Sequence, residues 1–95
     1  MEPNQQLALV EEIHDTLDAL TGQRLKLRAN MGRSKIIERE GTLVQVHPSI
    51  FIVETDEKRG RKARQSYQYV DILTKTVELT DPASGENLFP ALAAL

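Results

Sequence analysis

The predicted fold is decided by residues 24–46, RLKLRANMGRSKIIEREGTLVQV. Over its first half, apolar residues alternate with cations, which are Arg24, Lys26 and Arg28. A period of two predicts a half-buried strand with a basic outer face. Residues 30–33 have the composition of a turn, and a second strand follows up to residue 46. Gly41 lies inside that strand, where a glycine typically marks a bulge or a sharp bend.

Upstream of this stretch, the period changes to that of a helix over residues 5–20. The apolar positions are spaced by three and four, as on one face of a helix, and are Leu7, Val10, Ile13, Leu17 and Leu20. Gly22 provides a helix stop. The acidic side chains fall largely outside the apolar stripe, so we expect the helix to lie on a sheet.

Downstream, short apolar runs alternate with turns. We predict a central strand at 50–53, a charged loop at 56–64, a strand at 66–70, one helical turn at 71–74 and a last strand at 77–80. Tyr67 and Tyr69 are expected on the same face of the fourth strand. The order is therefore one helix followed by about five short antiparallel strands.

This order predicts a mostly β domain over residues 1–80. In it, an N-terminal α-helix precedes a bent, five-stranded antiparallel barrel of the SH3-like or Sm-like type at 23–80, because closure removes sheet edges. An open sheet crossed by the helix, or an oligomer that pairs its edges, are the alternatives. Residues 81–95 are predicted to be a flexible tail. Docking of its apolar side chains on a groove is the alternative for Leu88, Phe89, Leu92 and Leu95.

Composition limits the function. The 95 residues suffice for one domain, and the absence of Cys excludes disulfides, thiolate zinc sites and iron–sulfur ligation. No apolar run is long enough to span a bilayer, so we expect a cytoplasmic protein without membrane contact. The net charge of −2 hides an asymmetry, since residues 1–20 carry −5, 21–64 carry +6 and 65–95 carry −3.

Catalytic chemistry finds little support in the sequence. His14 and His47 are the two histidines, and neither has the spacing of a metal-ligand motif. We expect His14 to be a half-buried helix residue and His47 to be a turn residue. No phosphate-binding loop or nucleophile elbow is present. We therefore predict a protein that is not an enzyme and has no catalytic residues, metal or cofactor.

The basic middle segment is the candidate contact surface for nucleic acid or a protein partner. Small barrels bind single strands by stacking bases on exposed aromatic rings, so the two tyrosines join the cations. The candidate residues are Arg24, Lys26, Arg28, Arg33, Lys35, Arg39, Tyr67 and Tyr69. The alternative is that these cations form a solvated face or pair with acidic groups of the same chain or of a partner.

Three blocks of the sequence resemble the bacterial Veg family. Residues 29–43 are similar to its pattern A-N-x-G-R-x-K…E-R-x-G-x-L, and residues 48–53 to P-S-x-F-x-V. Residues 66–79 resemble S-Y-x-Y-x-D-I-L-T-x-T-V-E-L. The likeness covers roughly residues 11–80. The loop at 56–64 is more basic than the family pattern, and the tail after residue 81 departs from it.

The resemblance implies a small, cytoplasmic, Gram-positive regulator with a fold of the small-barrel type. It also implies that the chain stimulates biofilm formation by protein contact with a transcriptional repressor of matrix genes. A small-barrel module that binds nucleic acid through the basic strand face is the alternative. Because a short domain has marginal core volume, we also expect a homodimer.

Overall fold

The computed structural model describes residues 3–30, 32 and 34–90, with side chains from residue 8 onward, and in this part the chain forms two helices, one 3₁₀ turn and five strands. The helical elements are α1 (Pro3–Ala19), the 3₁₀ turn (Lys58–Gly60) and α2 (Tyr69–Leu73). The strands are β1 (Arg24–Asn30), β2 (Ile36–Val46), β3 (Ile50–Asp56), β4 (Lys62–Gln68) and β5 (Val77–Thr80). The predicted mostly β class with an N-terminal helix is confirmed.

The strands form one antiparallel sheet in the order β4-β3-β2-β1-β5. β4 and β5 stand at opposite edges and do not pair with each other in the described part of the chain, so the sheet is open. The predicted SH3-like or Sm-like barrel is therefore not confirmed. β5 pairs with β1 through residues such as Leu79 and Leu27, and α2 begins directly after β4.

One face of the sheet, the inner face, carries the core. Ile13 and Leu17 of α1 are fully buried with it, as the helical stripe predicts, while Val10 and Leu20 are partly buried; Leu7 lies outside the described side chains. The buried hydrophobic residues of β1 to β3 and β5 are Leu25, Leu27, Ala29, Leu43, Phe51, Val53, Val77 and Leu79. The opposite face, the outer face, carries the polar and charged positions of the same strands, as in the exposed–buried alternation of β1.

Gly41 lies where β2 is paired on both sides, opposite Leu25 of β1 and Thr55 of β3. Of the bulge or sharp bend predicted here, the bulge is not at this residue, because the register shift occurs between Leu43 and Gln45. A Cβ atom on Gly41 would lie 2.9 Å from the Thr55 Cα. The glycine thus marks a close approach of two backbones, which is the other common use of glycine in a strand.

The charged loop is shorter than predicted. β3 and β4 remain paired up to Asp56 and Lys62, so the connection, which we call the β3–β4 loop, comprises residues 57–61. The predicted strand at 66–70 also ends early. Gln68 donates its backbone N–H to the Asp71 carboxylate at 3.3 Å, and α2 begins at Tyr69 because this acceptor caps the first turn.

The beginning of the tail returns to β5. Thr80 forms an isolated bridge with Asn87, and Leu88 donates its backbone N–H to the Leu79 carbonyl at 2.9 Å. Phe89 is 6% exposed and belongs to the core. These contacts agree with the docking alternative for Leu88 and Phe89, whereas Leu92 and Leu95 lie outside the described residues. The flexibility of the tail stays a prediction.

Candidate partner-binding surface

On the outer face, Arg24 of β1 is engaged by carboxylates of two other strands. Its Nη2 atom lies 2.5 Å from Asp56 Oδ2 of β3 and 3.3 Å from Glu40 Oε1 of β2. The hydrogen bond that Arg24 donates to the Asp56 carboxylate is the main cause that raises the pKa of Arg24. The guanidinium is therefore neutralised within the sheet and is a poor candidate for binding phosphate.

The other cations of the outer face follow the same scheme, because the acidic strands β3 and β2 lie side by side between the basic strands β4 and β1. Lys26 lies 3.4 Å from Glu38, and at the opposite edge Arg64 lies 3.6 Å from Glu54. Lys62 also forms an ion pair, with its Nζ atom 3.1 Å from Asp56 Oδ1. Cross-strand pairs of opposite charge stabilise neighbouring strands. Carboxylates of β2 and β3 thus pair with two of the three cations of the predicted basic stripe, Arg24 and Lys26.

Arg28 and Lys35 are the exceptions among the predicted sheet cations. Arg28 lies opposite Glu38 in the register with β2 and opposite Glu78 in the register with β5. No ion pair joins its side chain or that of Lys35 to a carboxylate among the described residues. Arg33 lies outside the described residues, so its contribution to this surface stays a prediction.

Arg39 lies on the inner face, away from the β1 cations, because it stands opposite the buried Leu27. Its Nη1 atom donates to Glu57 Oε2 at 2.8 Å, and Thr55 Oγ1 lies 3.0 Å from Glu57 Oε1. Thr55 is fully buried. The half-buried Arg39 thus belongs to a small internal network and does not extend the cationic stripe of β1.

The two tyrosines do not form an exposed pair. Tyr67 is half-buried on the inner face, with its ring stacked on Phe51 at a centroid distance of 5.7 Å. Tyr69 is 2% exposed, and its hydroxyl donates to the His47 carbonyl. Burial raises the pKa of both phenols. The ring of Tyr69 is therefore not accessible to a base in this structure.

The β3–β4 loop carries the cations that the candidate set omitted. Lys58, Arg59 and Arg61 are exposed, and no ion pair or side-chain hydrogen bond engages them within the described ranges. An open groove of about 600 Å³ runs beside them and is also lined by Arg39, Asp56 and Glu57. The charge run at 56–64 was visible in the sequence. The pairing of its flanking members with neighbouring strands was not.

Asp56 is the most strongly perturbed carboxyl group of the surface. Hydrogen bonds from Arg24 and then from Lys62 lower its pKa to about 2. The unfolded chain has the ordinary Asp value of about 3.9. Because the folded pKa is depressed, the stabilisation is present above pH 4 and is lost as the pH falls towards 2.

We expect the Asp56→Asn substitution to lower the free energy of unfolding at pH 7 and to have a diminishing effect between pH 4 and pH 2. Urea denaturation of both proteins across this range measures the difference. The matched control is Glu12→Gln, an exposed helix residue that no ion pair engages among the described residues, and this variant should follow the wild type throughout. A stability gap for Asp56→Asn that is the same at pH 2 and pH 7 would contradict this assignment.

The histidines occupy the settings predicted from sequence. His14 is half-buried on α1, 3.5 Å from the Asp15 carboxylate, and His47 Nε2 lies 3.1 Å from Gln45 Oε1 in the turn. Within residues 3–30, 32 and 34–90, no group of three His, Cys, Asp or Glu side chains is arranged to hold a metal ion. The same part of the chain contains no helix of the length and apolarity needed to cross a membrane.

Comparison with protein families gives a match over most of the chain. The family model described as "Biofilm formation stimulator VEG" matches residues 8–80. The chain belongs to the VEG family. No curated protein matches the sequence. The matched VEG region spans α1 from residue 8 through β5, so it includes the charged outer face and the β3–β4 loop.

Proposed function

We propose that this VEG-family protein is a non-enzymatic regulator that promotes expression of the biofilm matrix. It acts in the cytoplasm by contact with a transcriptional regulator, whose repression of matrix genes it relieves. The family match over residues 8–80, with the description biofilm formation stimulator, is the observation that carries this proposal. The cytoplasmic location and the homodimer remain predictions from the sequence.

The charge arrangement supports protein contact over phosphate contact. Binding to a nucleic acid backbone requires several cations that are free to neutralise phosphates. On the outer face, Arg24 and Lys26 are occupied by carboxylates of neighbouring strands. A phosphate would have to compete with those carboxylates and would meet their negative charge.

Nucleic-acid binding remains the second candidate function, because Arg28 and Lys35 have no carboxylate partner in the described part of the chain. Arg28 and Lys35 alone offer few phosphate contacts, the three unpaired cations of the β3–β4 loop form a separate short group, and each contact is weakened steeply by salt. The aromatic contribution is also small, since Tyr69 is buried and Tyr67 is packed on Phe51. This candidate therefore predicts weak binding that disappears at moderate salt.

The proposal is tested in the source organism by deleting the gene for this chain. We expect lower matrix-gene transcript levels and less biofilm mass in the deletion strain, and recovery of both when the wild-type chain is supplied in trans. Growth rate serves as the control for a general defect. Unchanged matrix transcripts in the deletion strain would contradict the proposed function.

A further inference from the structure

We propose that the β3–β4 loop is the docking surface for an acidic segment of the protein partner, an inference that rests on the proposed function. The loop presents Lys58, Arg59 and Arg61 within four residues. These side chains are exposed and lack a carboxylate partner among the described residues, in contrast to Lys62 and Arg64 on the adjoining strand. Unpaired charge is thus concentrated at one end of the β3–β4 hairpin.

The backbone holds these three cations on a defined turn. Asp56 pairs with Lys62 at the end of the ladder, and the Glu57 backbone N–H donates to the Arg61 carbonyl at 2.8 Å. Arg59 and Gly60 both adopt left-handed conformations, with φ of 63° and 73°. A closed turn reduces the ordering cost that binding imposes on a loop, and such preorganisation favours affinity.

The groove beside the loop is lined by both cations and carboxylates, but only the cations of the loop are available to a partner. Its two carboxylates are already engaged, since Asp56 contacts Arg24 and Lys62, and Glu57 accepts a hydrogen bond from Arg39. The loop cations have no such internal partners. A carboxylate from another protein can therefore enter the groove of about 600 Å³ and pair with cations that no other described group engages.

A short acidic peptide segment fits this surface better than nucleic acid does. The unpaired cations cover only a short stretch of the surface. The next two cations along the chain, Lys62 and Arg64 of β4, form ion pairs with Asp56 and Glu54. A continuous phosphate backbone would run past these carboxylates and be repelled. Two or three side-chain carboxylates match the three free cations without extending beyond them.

Two matched variants test the surface. The loop triple variant, Lys58→Gln/Arg59→Asn/Arg61→Gln, removes the free cations, with Asn chosen because it tolerates the left-handed conformation. The strand double variant, Lys62→Gln/Arg64→Gln, removes neighbouring cations that are already paired. All of these residues are exposed, so both proteins should fold, and circular dichroism checks that they do.

Fluorescence anisotropy with the full chain measures binding of a labelled oligoglutamate peptide at low salt, with a glycine–serine peptide and oligothymidylate as comparison probes. An exposed charge pair contributes only modestly to affinity, so the three loop cations are removed together. We therefore expect the loop triple variant to bind oligoglutamate about tenfold more weakly than the wild type. The strand double variant should remain within about twofold. Oligothymidylate should bind more weakly than oligoglutamate.

Several results would overturn the proposal. One is equal oligoglutamate binding by the wild type and the loop triple variant. Another is loop-dependent binding of oligothymidylate without binding of oligoglutamate, which would make the loop a nucleic-acid surface. A third is loss of self-association in the loop triple variant with unchanged peptide binding, which would assign the loop to contact between copies of the chain.

Complementation of the deletion strain separates this inference from the proposed function. We expect the wild type and the strand double variant to restore matrix transcripts, and the loop triple variant at equal abundance to fail. If all three restore transcripts, the docking surface is wrong and the proposed function stands. If deletion and wild-type complementation leave transcripts unchanged, the proposed function is wrong, and the peptide measurements alone decide the surface.

Discussion

The Gly41→Ala substitution is expected to lower the free energy of unfolding by about 3 kcal/mol or more, at the upper end of the range for overpacking. The new Cβ would lie 2.9 Å from both the Thr55 Cα and a methyl carbon of Val53. Backbone atoms of a central strand cannot move away as a flexible side chain can. Because β2 is paired on both sides at this residue, relief of the clash would disturb the ladders with β1 and β3 together.

Thermal unfolding followed by circular dichroism measures this effect. For a domain of this size, 3 kcal/mol corresponds to a fall in Tm of roughly 12 to 24 °C. Gln45→Ala, an exposed position on the same strand, is the control and should change stability by no more than about 0.5 kcal/mol. A Gly41→Ala protein with wild-type Tm would show that β2 and β3 approach less closely than described.

The second large effect is expected for Phe51→Ala, which should cost about 3 to 5 kcal/mol. Phe51 is fully buried on β3, and its ring stacks on Tyr67 and on Tyr69 at centroid distances of 5.7 and 6.3 Å. Truncation to alanine removes the ring on which both tyrosines stack. Burial area, stacking and a residual cavity all contribute to the loss.

Urea denaturation of Phe51→Ala and Phe51→Leu gives a graded comparison. Leucine retains much of the side-chain volume, so we expect this variant to lose less than about 1.5 kcal/mol. Because the chain has no Trp, near-ultraviolet circular dichroism reports the tyrosine environment, and its signal should fall in the alanine variant. Equal stability of the two variants would contradict a closely packed aromatic cluster at this position.

The sequence predicted the elements that follow a regular period. The alternation of β1 and the helical stripe of α1 appear as expected because each pattern has one buried side, as Leu25 and Ile13 show. The register and the closure of the sheet depend on contacts between distant residues. A sequence alone does not reveal whether the edge strands β4 and β5 meet or that α2 begins at Tyr69, so the barrel was the first prediction and the open sheet an alternative.

The candidate surface was predicted less well for a related reason. The sequence shows how many charged residues the chain has, whereas the fold determines which of them form ion pairs. Arg24 and Asp56 are far apart along the chain, but the registers of β1 with β2 and of β2 with β3 place them on one face of the sheet. Arg39 faces the other side. Lys58 and Arg59 can be distinguished as unpaired cations only once the structure shows which of the neighbouring cations form ion pairs.

The proposed relief of a transcriptional repressor by protein contact with this VEG-family chain is tested most directly by in vivo footprinting of matrix-gene promoters. The strains compared are the wild type, the deletion strain and the deletion strain supplied with the chain. We predict stronger protein protection of the promoter DNA in the deletion strain, and a return to the wild-type pattern on complementation. Identical protection in all three strains, with matrix transcripts still dependent on the chain, would contradict the account.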